Sequence, residues 1–252
     1  MLADLLRDCK VALVFLTRLP LREQRPWGTA DLAASVPWFP VVGALVGLAG
    51  AIAYAIAIWA GLPPGPAAAV ALGATIWLTG ALHEDGLADV ADGFGGGRTR
   101  EDKLAIMRDP RIGSYGALAL VLALLARAGA IAALADPPAV AAAVVTAGAV
   151  SRAALPAVMT TLPQARTDGL AASGGRSHPL RACTAVLIAA LIALALLGGT
   201  APAALVAGAL GALGVALLAR RQIGGYTGDV LGAVQQLTEI GVLFGALAAA
   251  TP

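Results

Sequence analysis

Seven stretches of apolar residues, roughly 36–60, 66–83, 115–134, 138–159, 182–199, 201–219 and 231–250, take up most of this chain. A bilayer core of about 30 Å needs around 20 helical residues, and each stretch meets that length, some only when their charged flanks are added. Hydrophobic residues make up 59% of the 252 and charged residues 13%. With a mean hydropathy of +0.82, that excludes an ordinary soluble protein. The expected fold class is all-α: a polytopic integral membrane helix bundle of about seven transmembrane helices (six to eight), forming a single transmembrane domain over 1–252.

The positive charges orient it. Arg7, Lys10, Arg18, Arg22 and Arg25 precede the first stretch, and Arg98, Arg100, Lys103, Arg108 and Arg111 lie between the second and third. Arg152, Arg166, Arg176 and Arg181 belong to the end of the fourth and the loop after it, and Arg220 and Arg221 precede the seventh. The alternate turns at 61–65, 135–137 and 200 contain none. Short loops rich in Lys and Arg stay in the cytoplasm, so the N terminus is expected inside, the C terminus outside, and any site open to the cytoplasm. The protein is thereby expected in a membrane, among lipid; a pI near 8.8 then says nothing of nucleic acid, and no nucleic-acid partner is expected. A homo-oligomer is left open. In 1–35, the apolar run Val11–Leu16 is too brief for a span and lacks a small-residue cleavage site. An uncleaved interfacial helix fits, with Leu2, Leu5, Leu6 and Leu13 as its apolar surface. Cys9 and Cys183 are too few for a disulfide framework or a zinc site.

Against this background 83–114 stands out as the expected active-site segment. Seven of the 15 acidic residues lie here: Glu84, Asp85, Asp89, Asp92, Glu101, Asp102 and Asp109. Asp85, Asp89 and Asp92 stand at i, i+4 and i+7, so on a helix their carboxylates share one face. The second span reads as running on unbroken through Gly80 into this stripe, ending at Gly93–Gly97. Like charges so placed repel unless a cation sits among them, and Mg²⁺ accepts carboxylate oxygen while completing its shell with water and substrate phosphate. Arg98, Lys103, Arg108 and Arg111 supply phosphate-binding cations beside it, with Gly95, Gly96 and Gly97 freeing backbone amides. The combination suggests phosphoryl or nucleotidyl transfer at the membrane surface.

Other polar groups fall on the same side. Asp229 reads either as a functional acid or as a cap for the seventh span, and Glu239 lies two to three turns further on, near its face. Arg152 could reach an anionic substrate, whereas Arg127 reads as snorkelling outward. His83 and His178 are isolated and do not define a zinc site.

Four segments carry a resemblance: Phe15-Leu16-Thr17-Arg18-Leu19-Pro20, His83 to Gly93, Ile106 to Gly116 (which includes Ser114), and Gly224 to Ala233. They resemble the signature of the cobalamin synthase family, adenosylcobinamide-GDP ribazoletransferase. The resemblance implies a Mg²⁺-dependent inner-membrane enzyme that joins adenosylcobinamide-GDP to α-ribazole or its 5′-phosphate, releasing GMP and forming adenosylcobalamin or its phosphate. By carry-over, Asp85, Asp89 and Asp92 would hold metal, with Glu84 as a further ligand. Arg108, Asp109 and Arg111 would belong to the second motif and Asp229 to the last. Asp92, Asp109 and Asp229 remain candidate bases in no order. The chain is more distantly similar to CDP-alcohol phosphotransferases through Asp89 to Gly93. It departs from them in having no Ala-Arg after that Gly and no Gly-x-x-x-Asp-x-x-x-Asp downstream. Competing readings are a phosphotransferase acting on a lipid alcohol, and a transporter whose pathway is lined by Arg127, Arg152 and Glu239.

Overall fold

A computed structural model describes residues 2–21, 27–166 and 178–250. Its helices are α1 (Leu2–Leu16), α2 (Thr29–Ser35), α3 (Phe39–Trp59), α4 (Pro64–Thr79), α5 (Leu82–Gly96), α6 (Arg100–Ile106), α7 (Ser114–Leu134), α8 (Pro137–Thr161), α9 (Pro179–Leu197), α10 (Ala201–Ile223) and α11 (Gly228–Ala250). Among the described residues the β-geometry is a single bridge between Gln164 and Tyr226. Proline opens α3, α4, α8, α9 and α10 within their first two positions, where its missing N–H has no helical partner to lose.

Among the described residues, five helical segments are long and apolar enough to cross a membrane, and α4 with α5 makes a sixth if that bent pair counts as one span. The expected multi-pass helical bundle is present. The count falls short of seven because Pro179–Ile223 is one helical run of 45 residues. At 1.5 Å per residue it would be about 68 Å long if straight, more than twice a bilayer core. Gly198, at φ 52°, breaks it before a 3₁₀ turn, so α9 and α10 correspond to the expected fifth and sixth stretches.

The second span corrects the sequence reading. It does not run on into the acidic stripe: α4 stops at Gly80 (φ 68°), Ala81 also turns left-handed (φ 59°), and α5 leaves at 91° to α4. The amide of Ala81 reaches back to the carbonyl of Ile76, a glycine-type helix ending. The Arg18 side chain lies directly over Gly80, and its backbone amide donates to the Leu78 carbonyl at 2.8 Å. A side chain on residue 80 would collide with that strap, and left-handed backbone at Ala81 is strain retained by its surroundings.

Glycine governs the packing of the remaining helices. A Cβ on Gly43 of α3 would sit 2.1 Å from the Gly148 carbonyl oxygen of α8, and one on Gly148 would sit 2.2 Å from that of Gly43. The antiparallel pair α10 and α11 meets similarly at Gly211, Gly241 and Gly245, while Gly214 faces open space. Close backbone approach of this kind is how helices associate in lipid. Gly148→Val should therefore lower the melting temperature of the detergent-purified protein by an amount equivalent to at least about 1–3 kcal/mol, because the obstructing atoms are backbone. Gly129→Ala, with no atom within 4 Å, should leave the melting temperature unchanged.

Candidate active site

The carboxylates converge where α5 crosses α11. A Cβ on Gly86 would lie 2.8 Å from the Asp229 carbonyl oxygen and 3.1 Å from the Gly232 Cα, so two glycines let the helices touch. That contact brings Asp85 and Asp89 beside Asp229. The charges acting on Asp89 are Asp85, Asp229 and Asp92, with Arg166 the cation in the group. Arg166 bonds the Asp229 carboxylate, which also accepts the Thr227 hydroxyl at 3.1 Å. Thr227, rather than Asp229, caps α11 by accepting the Val230 amide.

Arg166 is held in place by its backbone. Ala165 donates to the Tyr226 carbonyl at 2.8 Å, and Tyr226 donates to that of Pro163 at 2.9 Å. Arg100 spans from α6 to the carbonyls of Ile223 and Ala165, tying three segments at one end of the bundle.

Asp85, Arg166 and Asp229 stand at the edge of a cavity of about 240 Å³ whose other walls are mostly apolar, drawn from α1, α2, α3, α8 and α11. Among the described residues, no three His, Cys, Asp or Glu side chains are grouped so as to hold a metal by themselves. Mg²⁺ does not need such a cage, since one or two carboxylates plus water and phosphate complete its shell. Facing acids with one cation among them suit that donor chemistry.

The other candidates are more dispersed. Asp92 accepts the Gly113 amide at 2.7 Å and the Gly116 amide at 2.8 Å, so both its oxygens anchor the N terminus of α7. Asp109 takes Arg111 in a two-pronged pair at 2.9 and 2.7 Å. The hydrogen bonds from Arg111 hold its carboxyl down at about 2, a poor value for a proton acceptor at neutral pH. Lys103 bonds Gln222. Arg98, Arg108 and Ser114 are exposed.

The sequence matches the model of the cobalamin-5-phosphate synthase family over residues 8–247. This chain belongs to that family. It is 47% identical over 246 residues to the adenosylcobinamide-GDP ribazoletransferase of Bradyrhizobium diazoefficiens, covering 97% of this chain and 95% of the relative. It is 51% identical over 242 residues to the enzyme of the same name from Mesorhizobium japonicum (95% and 92% covered), and 44% identical over 265 to that from Azorhizobium caulinodans (98% of each). No solved structure matches.

In this family member the four signature segments gather on one region. Phe15 and Leu16 line the cavity, the segment from His83 forms α5, the segment from Ile106 leads to the α7 cap, and the last segment opens α11. The remaining polar residues form a separate cluster inside the bundle. Arg127 is buried and paired with Glu84 at 3.0 Å and Glu239 at 3.1 Å, which corrects the reading of it as snorkelling. Arg152 is buried too, 3.8 Å from Glu239 and bonded to the Gly148 carbonyl. Glu84 also accepts Gln236, so it is committed to this cluster rather than to Asp85 and Asp89. Gln235 joins Ser151 to Glu239. Arg166, Gln235 and Gln236 were not among the expected site residues; a polar Gln-Gln pair within an apolar span was the available signal for two of them.

Proposed function

We propose that this protein carries out the reaction for which its relatives are named, and that it does so with Mg²⁺. Adenosylcobinamide phosphate passes from adenosylcobinamide-GDP to α-ribazole or its 5′-phosphate, releasing GMP and completing the nucleotide loop of cobalamin. The observation that carries this reading is the meeting of Asp85, Asp89, Asp229 and Arg166, with Asp85, Arg166 and Asp229 bordering a mostly apolar cavity, in a chain of this family. We place the site on the cytoplasmic face of the inner membrane, because the basic segments border it.

A ribose hydroxyl of the acceptor attacks the phosphorus that bears the cobinamide arm. A new P–O bond forms, and the bond from that phosphorus to the bridging oxygen breaks, so the bridging oxygen leaves with GMP. Asp85 and Asp89 would hold Mg²⁺, which neutralises pyrophosphate charge. Of the three candidate bases, Asp229 alone borders the cavity, and it takes the hydroxyl proton. Arg166 keeps Asp229 oriented through their ion pair, and its guanidinium would also contact a phosphoryl oxygen. Arg98 and Arg108, on the exposed side, attract the anionic donor.

The purified full chain, given adenosylcobinamide-GDP, α-ribazole and Mg²⁺, should release GMP in step with cobalamin formation. A chelator should stop the release. GMP without acceptor consumption, or turnover indifferent to chelation, would overturn this reading.

A further inference from the structure

We infer that the cavity of about 240 Å³ between α1, α2, α8 and α11 binds the aromatic base of the nucleoside acceptor, with the ribose at its charged end. This rests on the ribazole-transfer reading above.

The walls set the chemistry. Phe15, Leu16, Leu32, Phe39, Met159 and Leu231 present hydrocarbon, aromatic rings and sulfur. Phe15 stacks on Phe39 with centroids 5.8 Å apart and planes at 17°, and Trp27 meets Phe15 edge-on at 6.2 Å. The aromatic wall is therefore braced from behind. Planar apolar rings bind such a surface through area burial and offset stacking.

Polarity is confined to the side formed by His83, Asp85, Arg166 and Asp229. A ligand that fits has one apolar end and one hydroxyl-bearing end. A nucleoside with an alkylated benzimidazole base has that division, because its base carries no N–H and only one free ring nitrogen. The guanine of the donor does not fit: its edge bears several donors and acceptors, which these walls would leave unpaired. The corrin macrocycle is too large for the space. Seating the base deep in the cavity leaves the ribose hydroxyls beside Asp229, where the proton must go.

Met159→Trp on α8 and Leu32→Phe on α2 fill the cavity from two different helices, neither of which carries one of the site carboxylates. In the full chain purified in detergent, with each substrate varied in turn, both variants should raise the acceptor KM by about tenfold or more, the usual range for crowding an apolar pocket. The donor KM should stay within about twofold. The acceptor penalty should shrink for a riboside of unsubstituted benzimidazole, which lacks the two methyl groups. An equal rise in both KM values, a rise confined to the donor, or unchanged acceptor KM in both variants would overturn the inference. The wild-type series checks it without any substitution: removing the base methyls should raise the acceptor KM, and indifference would count against the cavity. Wild-type protein that releases no GMP overturns the parent reading, and this one with it.

Discussion

Asp89→Asn should yield a protein that inserts, folds and melts no lower than wild type, yet transfers about 100- to 1000-fold more slowly, the range seen when a preorganised charge-stabilising group is lost. The two halves of that result have one cause. Asp89 stands among Asp85, Asp229 and Asp92, and the one cation in the group, Arg166, already bonds Asp229. Removing its charge relieves repulsion in the ligand-free protein while removing a ligand for Mg²⁺. Asparagine keeps the shape, so a packing defect does not enter. A second readout separates metal binding from chemistry. Wild type should gain melting temperature with added Mg²⁺, by mass action on the folded state, and the variant should gain much less. Near-normal turnover in the variant, or an identical Mg²⁺ response, would remove Asp89 from the metal assignment.

Much of this arrangement was legible in the chain, because it rests on local periodicity. The i, i+4, i+7 spacing of Asp85, Asp89 and Asp92 does put them on one short helix, α5. The apolar lengths do mark the long helices, with α9 and α10 distinguished only by the turn at Gly198. What escaped depends on contacts between residues far apart. Gly80 alone does not announce a 91° break, since neither it nor Ala81 is a proline; the Arg18 strap that packs over it comes from 62 positions away in sequence. Glu84 and Asp85 are neighbours in sequence, but helix geometry turns them about 100° apart. One therefore faces Arg127 inside the bundle and the other faces the cavity. Asp92 belongs to the same stripe, yet two glycine amides from α7 claim it. Its two glycine partners are needed there, because a Cβ on Gly113 or Gly116 would lie within 2.4 Å of the carboxylate. Spacing shows that carboxylates share a face; it does not show which of them the fold has already used.

The buried cluster sets the largest effect on stability. Arg127→Met should destabilise the protein by about 3–5 kcal/mol, the scale for breaking a buried ion pair from one side. Arg127 lies between Glu84 and Glu239, and without it the nearest cation to either is Arg152, 3.8 Å from Glu239. Both acids would then be left in a cavity of about 10 Å³, room for about one water molecule. Four buried atoms of the cluster, Glu84 Oε2, Arg127 Nε, Arg152 Nε and Gln236 Oε1, already lack a partner, so there is little capacity to absorb another loss. The effect should reverse on neutralising the acid that Arg127 alone pairs. Combining Arg127→Met with Glu84→Gln removes one charge of each sign, leaves Glu239 facing Arg152 at 3.8 Å, and should recover most of the lost stability, since replacing both members of a buried ion pair is often near neutral. Thermal unfolding of the two single variants and the double variant in one detergent measures that coupling directly. Losses that simply add would mean that the charges act independently, and that α5 is held to α7 and α11 by packing at Gly86 and Gly232 rather than by this cluster.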